Sequence, residues 1–525
     1  MHAAVPRGNL RGRGRKGPPV RKSLLVACCA CAALALCGRA AANVTFGITE
    51  DTGALGDPAM FYSTLNDLGA TENRIAINWD PAQPTTIPNQ PGLDYWLPQA
   101  TIHAIRVLFA VAPAHPGDIT SSPARIAQFA AFLQQLARTY PFVKDYVIGN
   151  EPNQPYFWVP QYSDAGKPLA AAQYLPVLAA SYDALKAVDP TINVIGIGLS
   201  PRGNDQPFGK SNRSRSPVRF LNDLGVAYRA SHRAKPLMDE LAYHPYPQAA
   251  QGPPSIRYAW PTAGLANLDR IKQAVWDAFN GTAQPTFAEP GNTAAKPLRF
   301  DLDEVGWQVA PLPALASMYT GVETAGTKLI TEPQQATYYS DTITLAECDP
   351  SVRMLSFFHL IDETDLERWQ SGLERADGSH RPSYDAVKQT IAQTHGNCPA
   401  TPVRWRHVTG VVLPVVAWGS LKPQPLKRTR WSFGAGAGEE ADFRAGLFKA
   451  GLSKTVLGKR LAAGRPKPLL FAHGLIKAGS RLVSFPTRRL KRGLYVYAIR
   501  MSATMNPKRA SVLVSRPFRV GPAKK

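Results

Sequence analysis

Residues 145–153 read DYVIGNEPN, a short run of strand-forming residues that ends in a polar turn. An amphipathic stretch at 170–188 follows it, and a second strand-like run at 193–198 comes next. The order strand, helix, strand predicts parallel strands joined by a right-handed crossover. The number of such units along the chain therefore decides the fold.

The same alternation extends through residues 43–400. Apolar residues recur at helical spacing between the strand-like runs, as at Ile126, Phe129, Leu133 and Leu136. Eight strand-like runs are present, at 44–48, 74–79, 105–111, 145–150, 193–198, 239–246, 299–306 and 352–359. Eight such units predict a closed (β/α)₈ barrel, whose active site lies at the carboxyl ends of the strands.

Residues 401–525 differ in kind. Helical periodicity disappears, and short strand-like runs are separated by turns rich in Gly, Pro, Lys and Arg. These runs lie at 408–418, 441–449, 482–486, 493–501 and 510–514. They predict a separate carboxyl-terminal domain at 401–525, a small β-sandwich of the immunoglobulin type.

The charge is divided unevenly along the chain. The 525 residues carry a formal net charge of +22, which would ordinarily favour an anionic partner such as nucleic acid. Residues 1–42 contribute +8, residues 43–400 contribute −9 and residues 401–525 contribute +23. An acidic body argues against nucleic acid as partner. The basic domain could hold the protein on an anionic cell envelope, or be a spacer with a solvated basic surface.

The amino-terminal 42 residues have the pattern of a secretory signal peptide. A basic segment is followed by an apolar run at 23–36 and by small residues that end at Ala42. The alternatives are an amino-terminal anchor helix and lipidation at Cys37. We therefore expect a secreted or cell-envelope-associated protein that begins at Asn43.

Two of the six cysteines, Cys348 and Cys398, lie after this segment. In an exported protein such a pair predicts one disulfide, and the alternative is two unrelated buried thiols. Both fall at the amino-terminal face of the predicted barrel, where a disulfide would close the last βα unit. Phosphate-loop and dinucleotide-binding motifs are missing from the sequence, as are metal-ligand spacings after residue 42, so we predict neither cofactor nor metal.

A glutamate stands at the end of each of two predicted strands. Glu151 ends the fourth strand and Glu304 ends the seventh, so both would face the mouth of the barrel. Glycoside hydrolysis needs such a pair, because one carboxyl group protonates the leaving oxygen while the other attacks the anomeric carbon. The alternative is a structural ion pair at the barrel rim.

These residues resemble a known family. Asn150-Glu151-Pro152 on the fourth strand, with Glu304 on the seventh, is similar to glycoside hydrolase clan A, the cellulase-like retaining (β/α)₈ glycosidases. Three further positions on the second and sixth strands match the family pattern: Arg74, His244 and Tyr246. The resemblance covers most of residues 43–400.

The resemblance implies a role for each residue. Glu151 would be the general acid and then the general base, and Glu304 would be the nucleophile. Asn150 would donate a hydrogen bond to the sugar 2-hydroxyl. Arg74 would brace the nucleophile, with His244 and Tyr246 lining the same side of the site. The substrate would be an oligosaccharide, a polysaccharide or a simple glycoside.

The eighth strand departs from the family. Members commonly present a tryptophan there as a platform for the sugar, whereas this chain has Phe358 followed by His359. Phe358, His359 or Trp369 could take the place of that tryptophan. Trp158 and Trp307 follow the two glutamates and could also stack on sugar rings, or could simply pack the loops.

The sequence therefore predicts an exported retaining glycosidase acting on a β-linked O-glycoside. The altered eighth strand motivates a second hypothesis, an inactive barrel that binds carbohydrate or the cell envelope. A third is transglycosylation, in which a sugar replaces water as the acceptor.

Overall fold

The structure is a computed structural model. It describes residues 43–51, 56–120, 122–290, 296–324, 327–412, 414–417, 431–463, 468–485 and 489–521. The predicted leader at 1–42, including Cys37, lies outside the described residues. No helix within the described ranges is both long enough and apolar enough to cross a membrane.

Eight parallel strands close into a barrel in sequence order, which confirms the predicted (β/α)₈ fold. The strands are β1 Thr45–Thr49, β2 Glu72–Trp79, β3 Arg106–Pro113, β4 Asp145–Ile148, β5 Asn193–Leu199, β6 Glu240–Tyr243, β7 Phe300–Val305 and β8 Val352–Phe358. Helices surround the barrel: α1 Pro58–Leu68, α2 Gln90–Ile102, α3 Pro123–Thr139, α4 Ala170–Val188, α5 Pro217–Ala230, α6 Leu268–Phe279, α7 Glu332–Glu347 and α8 Pro382–Thr394. Two 3₁₀ turns, Leu265–Asn267 and Pro313–Met318, lie in the loops.

Local sequence signals set the ends of several helices. At the start of α7, the Thr331 hydroxyl accepts from the Gln334 backbone N–H, and the Gln334 side chain accepts from the Thr331 N–H. This reciprocal capping box satisfies two amide groups that a helix start otherwise leaves unpaired. At the end of α1, Gly69 adopts φ 78° and closes the helix in the left-handed conformation.

A buried ion-pair network occupies the amino-terminal ends of the strands. Arg353 on β8 pairs with Glu72 at 2.8 Å, with Glu240 at 2.8 Å and with Asp301 at 2.6 Å. Burial raises the pKa of Asp301 well above its usual range, although Arg353 opposes the shift. Carboxylates buried this deeply require such pairing, so the network is part of the core.

The predicted disulfide is confirmed. Cys348 follows α7 and Cys398 follows α8, and their sulfur atoms are bonded. The bridge closes a segment that contains β8 and α8, at the amino-terminal face of the barrel.

Two antiparallel sheets follow the barrel. The strands are β9 Val415–Ala417, β10 Trp431–Ala437, β11 Ala441–Lys449, β12 Leu470–Ile476, β13 Gly479–Phe485, β14 Gly493–Ala503, β15 Ala510–Val514 and β16 Phe518–Val520. One sheet has the order β13-β10-β9 and the other β12-β11-β14-β15, with β16 also paired to β14. Side chains of both sheets, such as Phe433 and Tyr497, share one hydrophobic core. An immunoglobulin-type topology stays a prediction.

One expectation for this region was wrong. The sequence suggested that no helix follows residue 400, but Lys454–Ala462 forms a helix, α9, with Ser453 as its amino-terminal cap. Leu457 and Leu461 are its buried apolar residues, and they pack on Phe448 and Val496 of the second sheet. Nine residues with two buried apolar positions produce too little periodicity to be distinguished from a loop.

The sheets pack directly on the barrel. Arg509 pairs with Asp277 of α6 and with Glu439, and all three side chains are buried. The His407 ring stacks on Trp276 at 4.1 Å between ring centroids. The described residues from Asn43 onward form one compact unit, and the predicted domain boundary at residue 400 stays a prediction.

Candidate active site

Glu151 lies in a strained turn at the carboxyl end of β4. Gly149 adopts φ 86°, and a Cβ at this position would lie 3.2 Å from the Tyr174 ring. Glu151 itself adopts φ 39°, which non-glycine residues rarely do, and its N–H donates to the Gly198 carbonyl at 2.8 Å. Backbone strain of this kind is concentrated at functional sites, where the surrounding structure holds it in place.

Glu304 lies near the end of β7 with each carboxylate oxygen held by a different partner. Arg74 Nη2 of β2 is 3.0 Å from Oε1, and the Tyr246 hydroxyl donates to Oε2 at 3.2 Å. The same Arg74 Nη2 donates to Asn150 Oδ1 at 3.2 Å. Arg74 therefore links the fourth and seventh strands.

His244 bridges the two glutamates. Its Nδ1 is 3.0 Å from Glu151 Oε1 and 3.4 Å from Glu304 Oε2. Because both contacts share one nitrogen, these two oxygens lie no farther apart than the sum of the distances, 6.4 Å. The structure thus brings together six residues that the sequence singled out: Arg74, Asn150, Glu151, His244, Tyr246 and Glu304.

Asp303 is a site residue that the sequence interpretation missed. Regular alternation along a strand would place Asp303 and Glu304 on opposite faces, but the structure brings both to Arg74 and His244. Asp303 Oδ2 lies 2.9 Å from Arg74 Nε, and its Oδ1 lies 3.3 Å from His244 Nε2. The register of β7 against β8 shifts between Leu302 and Val305, so regular alternation does not hold at this position. An irregularity of this kind has no signal in a single sequence.

The buried charges interact strongly. Burial alone would lower the pKa of His244, but the carboxylates of Glu304 and Asp303 and the contact with Glu151 raise it to about 10. His244 is therefore protonated at neutral pH. Burial would likewise raise the pKa of Asp303, but His244 and Arg74 outweigh it and lower this pKa. Arg74 and His244 are thus two buried cations that hold the carboxylates of Asp303 and Glu304 in place.

A second histidine lies beside this cluster. His359, directly after β8, is buried with Nδ1 3.2 Å from Glu50 and Nε2 3.6 Å from Glu363. Burial lowers its pKa, but Glu50, Glu363 and Glu304 outweigh this and raise it. The sequence named His359 only as a substitute for the missing tryptophan. Its contacts with Glu50 and Glu363 were not predicted.

An aromatic wall stands at the end of β8. The Phe358 ring lies 6.3 Å from Tyr246 and 5.6 Å from Trp369, and Tyr246 and Trp369 are 5.0 Å apart. Trp369 comes from the loop after β8, so two of the three residues named as substitutes for the platform lie side by side here, and their use as a platform stays a prediction. Aromatic faces of this kind suit the apolar faces of sugars.

The two predicted tryptophans have different surroundings. Trp307 is nearly buried, donates from Nε1 to the Gly252 carbonyl at 2.9 Å, and lines a cavity. Trp158 is 2% exposed and packs edge-on against Tyr174 in the core. Trp158 therefore takes the packing role that the sequence gave as its alternative, and because Trp307 is equally buried, stacking of either ring on a sugar stays a prediction.

A cavity of about 490 Å³ adjoins the cluster around Glu151 and Glu304 through Tyr246. Tyr246, Trp307 and Trp369 line it together with two cationic side chains, Arg202 and Lys328. Arg202 is held beside the Glu151 turn, because its backbone carbonyl accepts from the Gln154 side chain. Nowhere in the described parts of the chain do three or more His, Cys, Asp or Glu side chains gather as a metal would require.

Comparison with known proteins yields no matching family model and no matching curated protein. A family 39 glycoside hydrolase from Bacteroides cellulosilyticus WH2 is 14% identical over 85% of this chain and 82% of its own, with a TM-score of 0.47. GH5_18 from Streptomyces cattleya in complex with GlcNAc is 17% identical over 70% and 84%, with a TM-score of 0.44. A β-glucuronidase from Bacteroides uniformis is 10% identical over 91% of this chain but 46% of its own, with a TM-score of 0.42, so this chain matches about half of its length. The chemistry of the site is accordingly inferred from the residues of this chain.

Proposed function

We propose that this protein is a retaining glycosidase that cleaves a β-linked O-glycoside. One observation carries the proposal: oxygens of Glu151 and Glu304 lie within 6.4 Å of each other at the barrel mouth. Retaining glycosidases hold their two carboxyl groups about 5–5.5 Å apart, whereas inverting enzymes need roughly 6.5–9.5 Å to admit a water molecule. The upper bound therefore favours double displacement.

In the first step Glu304 attacks the anomeric carbon and Glu151 donates its proton to the leaving oxygen. The glycosidic C–O bond breaks as the bond between the sugar and Glu304 forms, and the released alcohol carries the proton. Asn150 is positioned beside Glu304 through Arg74, where its amide can donate to the sugar 2-hydroxyl.

In the second step Glu151 takes a proton from water, and the resulting hydroxide attacks the anomeric carbon. The ester bond to Glu304 breaks, so the sugar leaves with its original configuration and Glu304 is again a carboxylate. Each glutamate thus returns to its starting state after one turnover.

His244 is placed to stabilise the negative charge, which is carried first by Glu304 and then by Glu151. Its Nδ1 is 3.0 Å from Glu151 Oε1 and 3.4 Å from Glu304 Oε2, so before the first step its proton is also close enough to stabilise the Glu304 anion. Once Glu304 is esterified, the same N–H can serve Glu151, which is then the anion that acts as base. One buried proton donor therefore stabilises whichever carboxylate carries the charge.

The test is turnover of Glu304→Gln and Glu151→Ala on a panel of aryl β-glycosides. We expect Glu304→Gln to be inactive, and Glu151→Ala to lose about 10²–10⁴-fold, least on substrates with good leaving groups. A fluorinated glycoside should also label Glu304, as seen by mass spectrometry. Undiminished turnover by Glu304→Gln would overturn the mechanism.

The same label distinguishes the other hypotheses. An inactive carbohydrate-binding barrel would bind sugars but leave Glu304 unlabelled on every glycoside of the panel. A transglycosylase would be labelled, but it would release mainly longer glycosides when acceptor sugar is abundant. Product analysis at high acceptor concentration separates it from a hydrolase.

We further propose that the protein is exported, with the leader removed after Ala42. The disulfide between Cys348 and Cys398 supports this proposal, because such bonds persist in oxidising compartments. Sequencing the amino terminus of the protein recovered outside the cytoplasm should give Asn43. A chain that keeps residues 1–42, or a lipid on Cys37, would contradict cleavage at this site.

A further inference from the structure

A basic cleft lies on the second sheet, and none of the residues that line it belongs to the barrel. Helix α9 covers one part of the outer face of this sheet, where Phe448 and Val496 are buried beneath it. Beyond the carboxyl end of the helix, three cationic or titratable residues stand in one row across adjacent strands: His473 on β12, Arg444 on β11 and Arg500 on β14. We call the space above this row the arginine cleft.

The row places like charges side by side. Arg444 is directly opposite Arg500 in one strand pair and directly opposite His473 in the other. Like charges at opposed positions of a sheet destabilise it. Within the described residues, neither arginine has a carboxylate partner at ion-pair distance. An arrangement that costs stability and has no ion-pair partner for either arginine suits an external anion.

The two guanidinium groups are nevertheless positioned. Arg444 Nη1 donates to the Ala462 carbonyl at 2.7 Å, at the end of α9, and Arg500 Nη1 donates to the Ser502 hydroxyl. Each contact uses one nitrogen and leaves the other guanidinium donors for a ligand. The cleft has a volume of about 620 Å³, and Asp442 is the one carboxylate that lines it.

Aromatic rings complete the cleft. Phe471 and His473 are neighbours on β12, with ring centroids 5.8 Å apart, and both line the space. Guanidinium groups bind planar carboxylates through paired hydrogen bonds, and rings pack against the apolar faces of sugars. A concave space that offers both is suited to a sugar chain. A membrane surface would instead favour projecting apolar side chains.

We propose that the arginine cleft binds an acidic polysaccharide through the carboxylate groups of its sugars. The site is separate from Glu151 and Glu304, and the proposal does not depend on their activity. It would retain the protein on an anionic glycan while leaving the barrel mouth free.

The experiment measures binding of the full chain to immobilised polygalacturonate. Methyl-esterified polygalacturonate is the matched ligand control, since it keeps the backbone and loses the charge. We expect the unmodified chain to bind the acidic form and not the ester. Arg444→Gln with Arg500→Gln should weaken this binding by about tenfold or more, since each paired contact to a carboxylate is charge-assisted.

A charge-matched variant makes the result specific. Arg492→Gln with Arg516→Gln removes the same charge at exposed positions outside the cleft, and should retain binding within about twofold in moderate salt. Arg500→Gln alone leaves the Arg444 contact with α9 intact, so its loss of binding cannot come from unfolding of the helix. The thermal unfolding midpoint of each variant is recorded alongside.

Three results would overturn the proposal. Equal losses in the cleft variant and the charge-matched variant would mean that diffuse charge is responsible. Equal binding to the esterified glycan would remove the role of the carboxylates. Binding to vesicles of anionic phospholipid without binding to polygalacturonate would assign the cleft to a membrane.

Discussion

Arg353, at the amino-terminal end of the barrel, pairs with three carboxylates that are at most 9% exposed. At the carboxyl end, Glu151 and Glu304 surround His244 with side chains that are 15% and 11% exposed. Both ends therefore gather acidic groups around few cations, but the two glutamates at the carboxyl end are more exposed than the three partners of Arg353. We call them the closed network and the open cluster, and we expect the first to serve stability and the second, under the proposed function, to serve chemistry.

The difference between the two ends is tested most directly by replacing one carboxylate with its amide at each end of β7. Glu304→Gln should lower kcat on an aryl β-glycoside by about 10³-fold or more with little change in stability. Asp301→Asn, three residues earlier on β7, should retain kcat and lower the unfolding free energy by about 1–3 kcal/mol. Urea unfolding and steady-state kinetics on both variants provide the comparison. Equal effects on kcat would show that the two ends are not functionally distinct.

Removing the central cation of the closed network should cost the most stability. Arg353→Met leaves three buried carboxylates without their shared partner and should lower the unfolding free energy by about 3–5 kcal/mol. Lys388→Met is the control, because its pair with Asp67 is half exposed and should contribute less than about 1 kcal/mol. Similar unfolding midpoints for the two variants would contradict a structural role for the network.

The disulfide at the same end should contribute somewhat less. Replacing both Cys348 and Cys398 by Ser should lower the unfolding free energy by about 2–4 kcal/mol, because the unfolded chain gains the freedom of a 50-residue segment. Reduction of the unmodified protein should reproduce this loss, and reduction of the double variant should change nothing. A reductant effect of the same size on the double variant would assign the loss to another cause.

The pH dependence of stability tests the charge state of His244 in the cluster at the carboxyl end. His244 has its pKa raised to about 10 in the folded chain, against about 6.5 when unfolded. Its ion pairs should thus stabilise the fold fully below about pH 6.5, and this contribution should fade as the pH rises to 10, by at most about 1.4 kcal/mol per pH unit. Urea unfolding of His244→Gln at pH 7, 8 and 9 should lack this decline. Parallel pH profiles for the two proteins would mean that His244 is not protonated in the folded state.

The barrel could be predicted because its signals are local. Strand and helix periodicities repeat eight times between residues 43 and 400, and each glutamate at a strand end inherits its position from that repeat.

In the sheets, β11 and β15 were predicted with their observed bounds, but β10 was missed. Its sequence, WSFGAGA, is rich in glycine and lacks the β-branched residues that signal a strand.

The sequence by itself determined the fold class, the disulfide and the residue types at the barrel mouth, since each depends on spacing along the chain. Only the tertiary structure decided which groups share a partner. The register shift in β7 brings Asp303 to Arg74 and His244, and packing against Tyr174 buries Trp158. These outcomes depend on contacts between residues far apart in sequence, so no local pattern carries them.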